Sequence, residues 1–175
     1  MNYDQRVRER LLEALKLKAL PRAGWVRAGV DGPEAVAAHS WGVAWLVLNF
    51  CPPELDLEKA LSLAVVHDLA EVRVGDLTPH DGVDPEEKLV SERRAFRRMT
   101  EGLPQAGRLR LAWQEYADGS SREARLVRAL DKLDMALQAA LYSQDQELDL
   151  EEFVQSALEK LEDPLWRELA DPRDE

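Results

Sequence analysis

Four residues of the 175 have types and settings that could hold a divalent cation: His39, His67, Asp68 and Asp131. His67 and Asp68 follow directly on the apolar run Leu61–Val66, in a segment apolar nearly all round, which belongs in the interior. Glu71 is four residues from His67 and shares its helical face, and Asp68 lies about 100° round from His67, so one site can receive all three. A buried carboxylate requires a cation or several hydrogen bonds. An imidazole–carboxylate pair tying helices together would satisfy the same pattern. His39 sits in EAVAAHSWGVAWLV with Val36 and Val43 on its face, where a satisfied core histidine is the plain alternative. Asp131 sits between Val127 and Met135. Pairing with Arg128 or Lys132 is the plain alternative, a weaker one because those residues point elsewhere on the helix. Two imidazoles and two carboxylates suit Mn²⁺, Co²⁺, Fe²⁺ or Zn²⁺. Four protein ligands would leave positions on a six-coordinate ion for water and a substrate oxygen, the arrangement for hydrolysis by metal-activated water. The third histidine, His80 in TPHDG, reads as a surface loop residue.

Composition narrows the classes. A mass of 19.8 kDa suits one domain with its own core. Lys and Arg number 23 against 34 Asp and Glu, a formal charge of −11, which argues against a general nucleic-acid binder. One cysteine, Cys51, excludes a disulfide framework and a cysteine-rich zinc site. The N-terminus lacks an apolar signal core, and the longest apolar runs fall far short of the roughly 20 residues that span a bilayer. A soluble, cytoplasmic protein without a membrane partner is expected. An anionic substrate would need local positive charge in so acidic a chain.

The elements that must position these residues read as helices throughout. The first spans Tyr3–Leu20, with Val7, Leu11, Leu12 and Leu15 on one stripe, and Pro21 stops it. An irregular stretch rich in Gly and Arg follows. A second helix is expected from Gly32-Pro33 to about Phe50 and a third from the cap Asp56 to about Val74, with Gly75 as its stop. GDLTPHDGVDP reads as a loop. Asp84–Glu87 is a capping box opening a fourth helix to about Glu101, whose Arg93, Arg94, Arg97 and Arg98 form a solvated face. Pro104 opens a fifth to about Asp118. Ser120 with Glu123 is expected to cap a sixth, Asp149 with Glu152 a seventh, and Pro164 a last short turn. No strand, repeat or low-complexity linker is found. The fold class is all-α, six or seven main helices with short connections. Trp41, Trp45, Trp113 and Trp166 read as core or interface packing.

The pattern H…HD…D, with HDxxE followed by GD and a Trp 14 residues before the first His, resembles HD-domain metal-dependent phosphohydrolases. The 5′-deoxynucleotidase branch is the nearer likeness, over most of residues 10–145. The resemblance implies a single HD-domain bundle over 1–175, its core at about 10–145 and helices at 149–170 packing on it. It implies His39, His67, Asp68 and Asp131 as ligands of a divalent ion (Co, Mn, Fe, Zn or Mg), Glu71 as catalytic carboxylate and Asp76 as an active-site carboxylate near the sugar. Trp25 matches the Trp that shapes the sugar pocket. The bacterial enzyme has a phosphate-binding Arg directly before that Trp, where this chain has Gly24. Arg22, in PR-x-GW, is the natural substitute and Arg27 the second choice. Ala38 stands where the family often has an acidic residue. The implied reaction is hydrolysis of deoxyribonucleoside 5′-monophosphates by a homodimer. Other HD hydrolases act on cyclic nucleotides, nucleoside triphosphates or guanosine alarmones, and a non-catalytic metal-binding scaffold would use the same ligands. Beside these stand plainer readings: Trp25 as a loop anchor, Asp76 as a turn residue and Glu71 as a partner of Arg73.

Overall fold

A computed structural model describes residues 3–171; the ends of the expected 1–175 span, residues 1–2 and 172–175, lie outside the described residues. Ten α-helices follow in order: α1 Tyr3–Ala14, α2 Ala23–Arg27, α3 Val36–Phe50, α4 Leu57–Val66, α5 Glu71–Val74, α6 Pro85–Met99, α7 Ala106–Asp118, α8 Arg122–Gln146, α9 Glu151–Leu158 and α10 Pro164–Ala170. Seven have eight residues or more, and no strand occurs among the described residues, so the all-α expectation holds. The long α8 packs on α3, α4, α7, α9 and α10. Val43, Val47, Leu63, Val127, Leu130 and Leu133 are fully buried at their junction. Burying each such side chain stabilises by about 1.5–3 kcal/mol. The α3 and α8 faces that carry His39 and Asp131 turn into this same interior.

Several elements differ from the sequence expectation, each for a local reason. α1 passes into a 3-10 turn, Leu15–Ala19, whose different angular step turns Leu17 inward. The stripe Leu11, Leu12 and Leu15 is left exposed, and α1 is instead held by Arg73 Nε on Glu13 at 2.7 Å. The second long helix begins at Val36 rather than Gly32-Pro33. Residues 34–36 are taken up pairing with 20–22: Val36 N–H donates to Leu20 O at 2.8 Å and Arg22 N–H to Glu34 O at 3.0 Å. The third expected helix breaks after Val66. Leu69 N–H bonds Val66 O and Glu71 N–H bonds Asp68 O, three-residue steps that tighten the chain between α4 and α5. The buried indole of Trp113 supports this break by donating to His67 O at 3.1 Å. Gly75 (φ +82°) ends α5 as expected.

Capping is partly redistributed. Asp56 and Asp84 cap α4 and α6 as expected. α8 is capped by Ser121, not Ser120, through the Ala124 N–H at 3.0 Å. Glu123 is drawn away to the start of α4, accepting from Asp56 N–H at 3.2 Å and Lys59 Nζ at 3.1 Å. Asp149 accepts from Glu151 N–H at 3.1 Å, while Glu152 pairs with Arg27 instead of completing a box. Pro104 precedes a turn, and α7 starts two residues later. Trp113 is buried and Trp166 sits against Phe50, whereas Trp41 and Trp45 lie on the surface.

The Glu123 clasp carries a pH signature. Its own backbone N–H first, then Asp56 N–H and the Lys59 ammonium, hold its carboxyl down to about 2 from the ordinary 4.5. A carboxyl lowered in the folded state contributes stability above its unfolded value and loses it as pH falls through the folded one. Glu123→Gln is therefore expected to cost about 1 kcal/mol at neutral pH, allowing for solvent screening. In denaturant melts, the gap from wild type should close between pH 4.5 and 2. A gap constant over that range would refute the assignment.

Candidate metal centre

His39 on α3, His67 at the end of α4 and Asp131 on α8 bring ligand atoms within 4.8 Å of one another. His39 Nε2 is 3.2 Å from Asp131 Oδ1 and 3.6 Å from Asp68 Oδ2; His67 Nε2 is 3.1 Å from Asp68 Oδ2. Three of the four residues the sequence singled out thus gather at one point, and Asp68 stands beside the two imidazoles. Both imidazoles are oriented from behind. His67 Nδ1 lies 2.8 Å from Ala64 O, a carbonyl that can only accept, so Nδ1 donates. His39 Nδ1 lies 2.6 Å from Asp134 Oδ2 and donates likewise. In the neutral rings each Nε2 then carries a lone pair, and both Nε2 atoms are buried without a hydrogen-bond partner. Lone pairs facing carboxylate oxygens demand a positive charge between them. A six-coordinate cation, with donors about 2.1 Å away, places adjacent donors about 3 Å apart. The spacings here fit that requirement.

Without a cation, the site answers its negative charge by protonation. Burial and Arg22 both oppose the His39 imidazolium, but Asp131 and Asp134 outweigh them and push its pKa up to about 9. Burial first, then the Asp68 and Asp76 carboxylates, push Glu71 up to about 10, and its Oε2 is buried and unpartnered. Burial also opposes ionisation of Asp68 and Asp131. His67, His39 and Arg22 nonetheless hold Asp68 ionised, and Lys132 and His39 do so for Asp131. Tyr116 is kept protonated by burial and by Asp131, and donates to Asp131 Oδ2 at 3.1 Å. Neighbouring carboxyls with opposed protonation are the arrangement from which acid and base roles are built.

The site forms one wall of a cavity of about 790 Å³, in the range of small-molecule pockets. Arg22, Trp25, Arg27, Glu71 and Asp76 all line it. Arg22 Nη1 stands 3.6 Å from Asp68 Oδ2. Asp76 Oδ2 accepts the Ala23 N–H at 2.7 Å, tying the loop after α5 to the start of α2. Trp25 lies in α2, not in a loop, and is an anchor as well as a wall residue: it is 1% exposed, its Nε1 donates to Glu34 at 3.0 Å, and its ring centroid lies 4.3 Å from that of Phe153. A Cβ at Gly24 would meet Phe153 Cε1 at 3.1 Å, so a large side chain there requires Phe153 to move. Arg27 is drawn to Glu152 and lies over the Phe153 ring. His80 is an exposed loop residue, as expected, but at the cavity's rim. Glu71 and Arg73 are not partners; Arg73 binds Glu13.

At Asp131 the weaker alternative holds for Lys132. Lys132 does reach Asp131, with Nζ 3.1 Å from Oδ2, because its long stem bends back along α8 toward the buried charge. Asp134 was not foreseen. It lies one turn after Asp131, and its only sequence signal is that spacing together with Gly42, one turn after His39 on the facing helix. A Cβ at Gly42 would come within 2.0 Å of Asp134 Oδ1, so a glycine is what admits this carboxylate to His39. Tyr116 and Glu34 gave no sequence signal.

Known proteins resemble this chain over most of its length. The HD domain family profile matches residues 14–170. A Dictyostelium discoideum protein named 5′-deoxynucleotidase HDDC2 is 37% identical over 170 residues, covering 89% of this chain and 90% of that one. Its human namesake is 40% identical over 129 residues, 73% of this chain and 63% of that one, so the chain spans under two thirds of the human protein. A solved structure described as a conserved hypothetical protein from Pyrococcus furiosus superposes with a TM-score of 0.74 at 35% identity, covering 94% and 96% of the two chains.

Asp134→Ala is expected to weaken cation binding by about 10- to 100-fold with helicity unchanged. Asp134→Asn, which keeps an acceptor, should lie between it and wild type. Calorimetric titration with Co²⁺ measures both, and equal affinity in all three proteins would show that Asp134 does not orient His39.

Proposed function

The chain belongs to the HD domain family, and from that membership and the site geometry we propose that it is a metal-dependent phosphomonoesterase acting on deoxyribonucleoside 5′-monophosphates. One observation carries the reading: the buried Nε2 atoms of His39 and His67 make no hydrogen bond and face Asp131 and Asp68, beside a guanidinium and the unpartnered Oε2 of Glu71. The names of the relatives supply the substrate class. His39, His67, Asp68 and Asp131 would hold the cation. When bound, it supplies positive charge that polarises a phosphate oxygen and acidifies water.

The chain's own residues do the rest. Arg22, held beside Asp68, offers its remaining N–H groups to phosphate oxygens. Arg27, committed to Glu152, stands further along the cavity as the second cation for substrate. Trp25 and Asp76 bound the sugar end. Water forms the new P–O bond as the bond to the 5′ oxygen breaks. Glu71 passes a proton at its carboxyl oxygen, and the proton ends on the departing 5′ hydroxyl. Products are a deoxynucleoside and inorganic phosphate. The reading also places the enzyme in the cytoplasm as a homodimer. For the dimer, Trp41, Trp45 and Leu48 offer support: they lie on one face of α3 and are 70%, 54% and 54% exposed.

Protein loaded with Co²⁺ or Mn²⁺ is expected to release phosphate from deoxynucleoside 5′-monophosphates, and Glu71→Gln to lower kcat by about 10²- to 10⁴-fold. Release from cyclic nucleotides or triphosphates alone would move the chain to another HD activity. Asp131→Ala should leave a folded, inactive protein by circular dichroism; an unfolded one points to a structural cation. For the dimer, sedimentation velocity of Trp41→Glu/Trp45→Glu should show a monomer where wild type sediments as a dimer. A monomeric wild type removes that part.

A further inference from the structure

A second cavity, of about 910 Å³, lies between α8, the turn that precedes it and the segment entering α10. Arg122, Arg125, Arg128, Lys132 and Lys160 line it, five cations in a chain of formal charge −11. Four of them are spaced three, three and four residues apart, a single stripe along α8. Two are anchored: Arg125 Nη1 donates to Gly119 O and Arg128 Nη1 to Ala117 O, each at 3.3 Å. The C-terminal end of α7 thus fixes these guanidiniums in place, which lowers the entropy cost of engaging a ligand. Arg122 pairs with the exposed Glu54, at 3.7 Å. Three carboxylates, Asp118, Glu162 and Asp163, share the lining with the five cations, and Lys132 already pairs with Asp131 at 3.1 Å, so the cation excess rests on Arg125, Arg128 and Lys160 together with the loosely paired Arg122. Asp163 accepts the Leu165 and Trp166 N–H groups, and Asp118 accepts from Gln114 Nε2 at 2.6 Å. Away from the stripe the lining is mixed: Leu55 and the indole of Trp166, itself set edge-on against Phe50, stand beside Glu162 and Asp163.

We propose that this cavity binds a nucleoside di- or triphosphate, its phosphates on the α8 stripe and its base against Trp166. A planar, partly apolar group joined to more than one phosphate satisfies both walls at once. Guanidiniums match phosphate oxygens in pairs, and the volume is that of a small-molecule site. A nucleic acid is disfavoured by the charge of the whole chain. Arg128 and Lys132 also line the metal-centre cavity, so the ligand would rest against the side chain that pairs with Asp131. The proposal does not depend on the catalytic reading.

Calorimetric titration of the full metal-loaded chain with ADP, in excess magnesium and low salt, tests it. Arg122→Ala/Arg125→Ala changes two exposed residues. It is expected to weaken ADP binding about tenfold or more while phosphate release from a deoxynucleoside 5′-monophosphate stays unchanged. Adenosine, lacking phosphates, should bind far more weakly than ADP. Arg22→Ala should leave the ADP affinity of this site intact. The proposal is overturned if the double variant binds ADP as wild type does, if Arg22→Ala abolishes binding, or if no binding is seen.

Discussion

The structure turns on an unbalanced charge largely withdrawn from water. Asp68, Asp131, Asp134 and Glu71 converge on two imidazoles between α3, α4 and α8, at the wall of a cavity where little water reaches them. Buried carboxylates persist only when something positive meets them. Arg22 and Lys132 supply part of that charge; the rest comes from a proton on His39 or, with both rings neutral and their Nδ1 atoms donating to Ala64 O and Asp134, from a cation between the two Nε2 atoms. The helices exist in their present arrangement around that gap.

Much of the scaffold serves this convergence. The break after Val66 lets His67, Asp68 and Glu71 turn toward the cavity where a straight helix would carry them past it, and Trp113 pins the break through the His67 carbonyl. The pairing of residues 20–22 with 34–36 shortens α3 but brings Arg22 and Trp25 over the cavity. Gly42 brings α3 and α8 close enough for Asp134 to reach His39. Each is a small departure from regular geometry, and each places a polar group that regular geometry would misplace.

The acidity of the chain is resolved locally at both cavities. At the metal centre, carboxylates outnumber the cations and call for a metal. Along the outer stripe of α8, cations outnumber available carboxylates and call for an anion. One helix thus presents opposite charge excesses to two cavities, with Arg128 and Lys132 shared between them. Net charge alone says nothing of this, because fields inside low-dielectric clefts follow nearby groups.

The sequence by itself determined the helical class, most helix ends, and the meeting of His39, His67, Asp68 and Asp131. These follow from periodicity, caps and the cost of burying charge, which are local properties of a chain. It did not determine where α3 starts, that the third helix breaks, that Leu11, Leu12 and Leu15 stay exposed, or which residues back the ligands. Asp134 looked like any helical Asp, and Lys132 looked misdirected, because their roles depend on atoms from other elements. Glu123 and Glu152 left their expected caps for partners 64 and 125 residues away. Only the tertiary structure decided these. A side chain's partner is set by what packs beside it, and long, flexible Lys, Arg and Glu side chains follow the strongest nearby field over their own helix register.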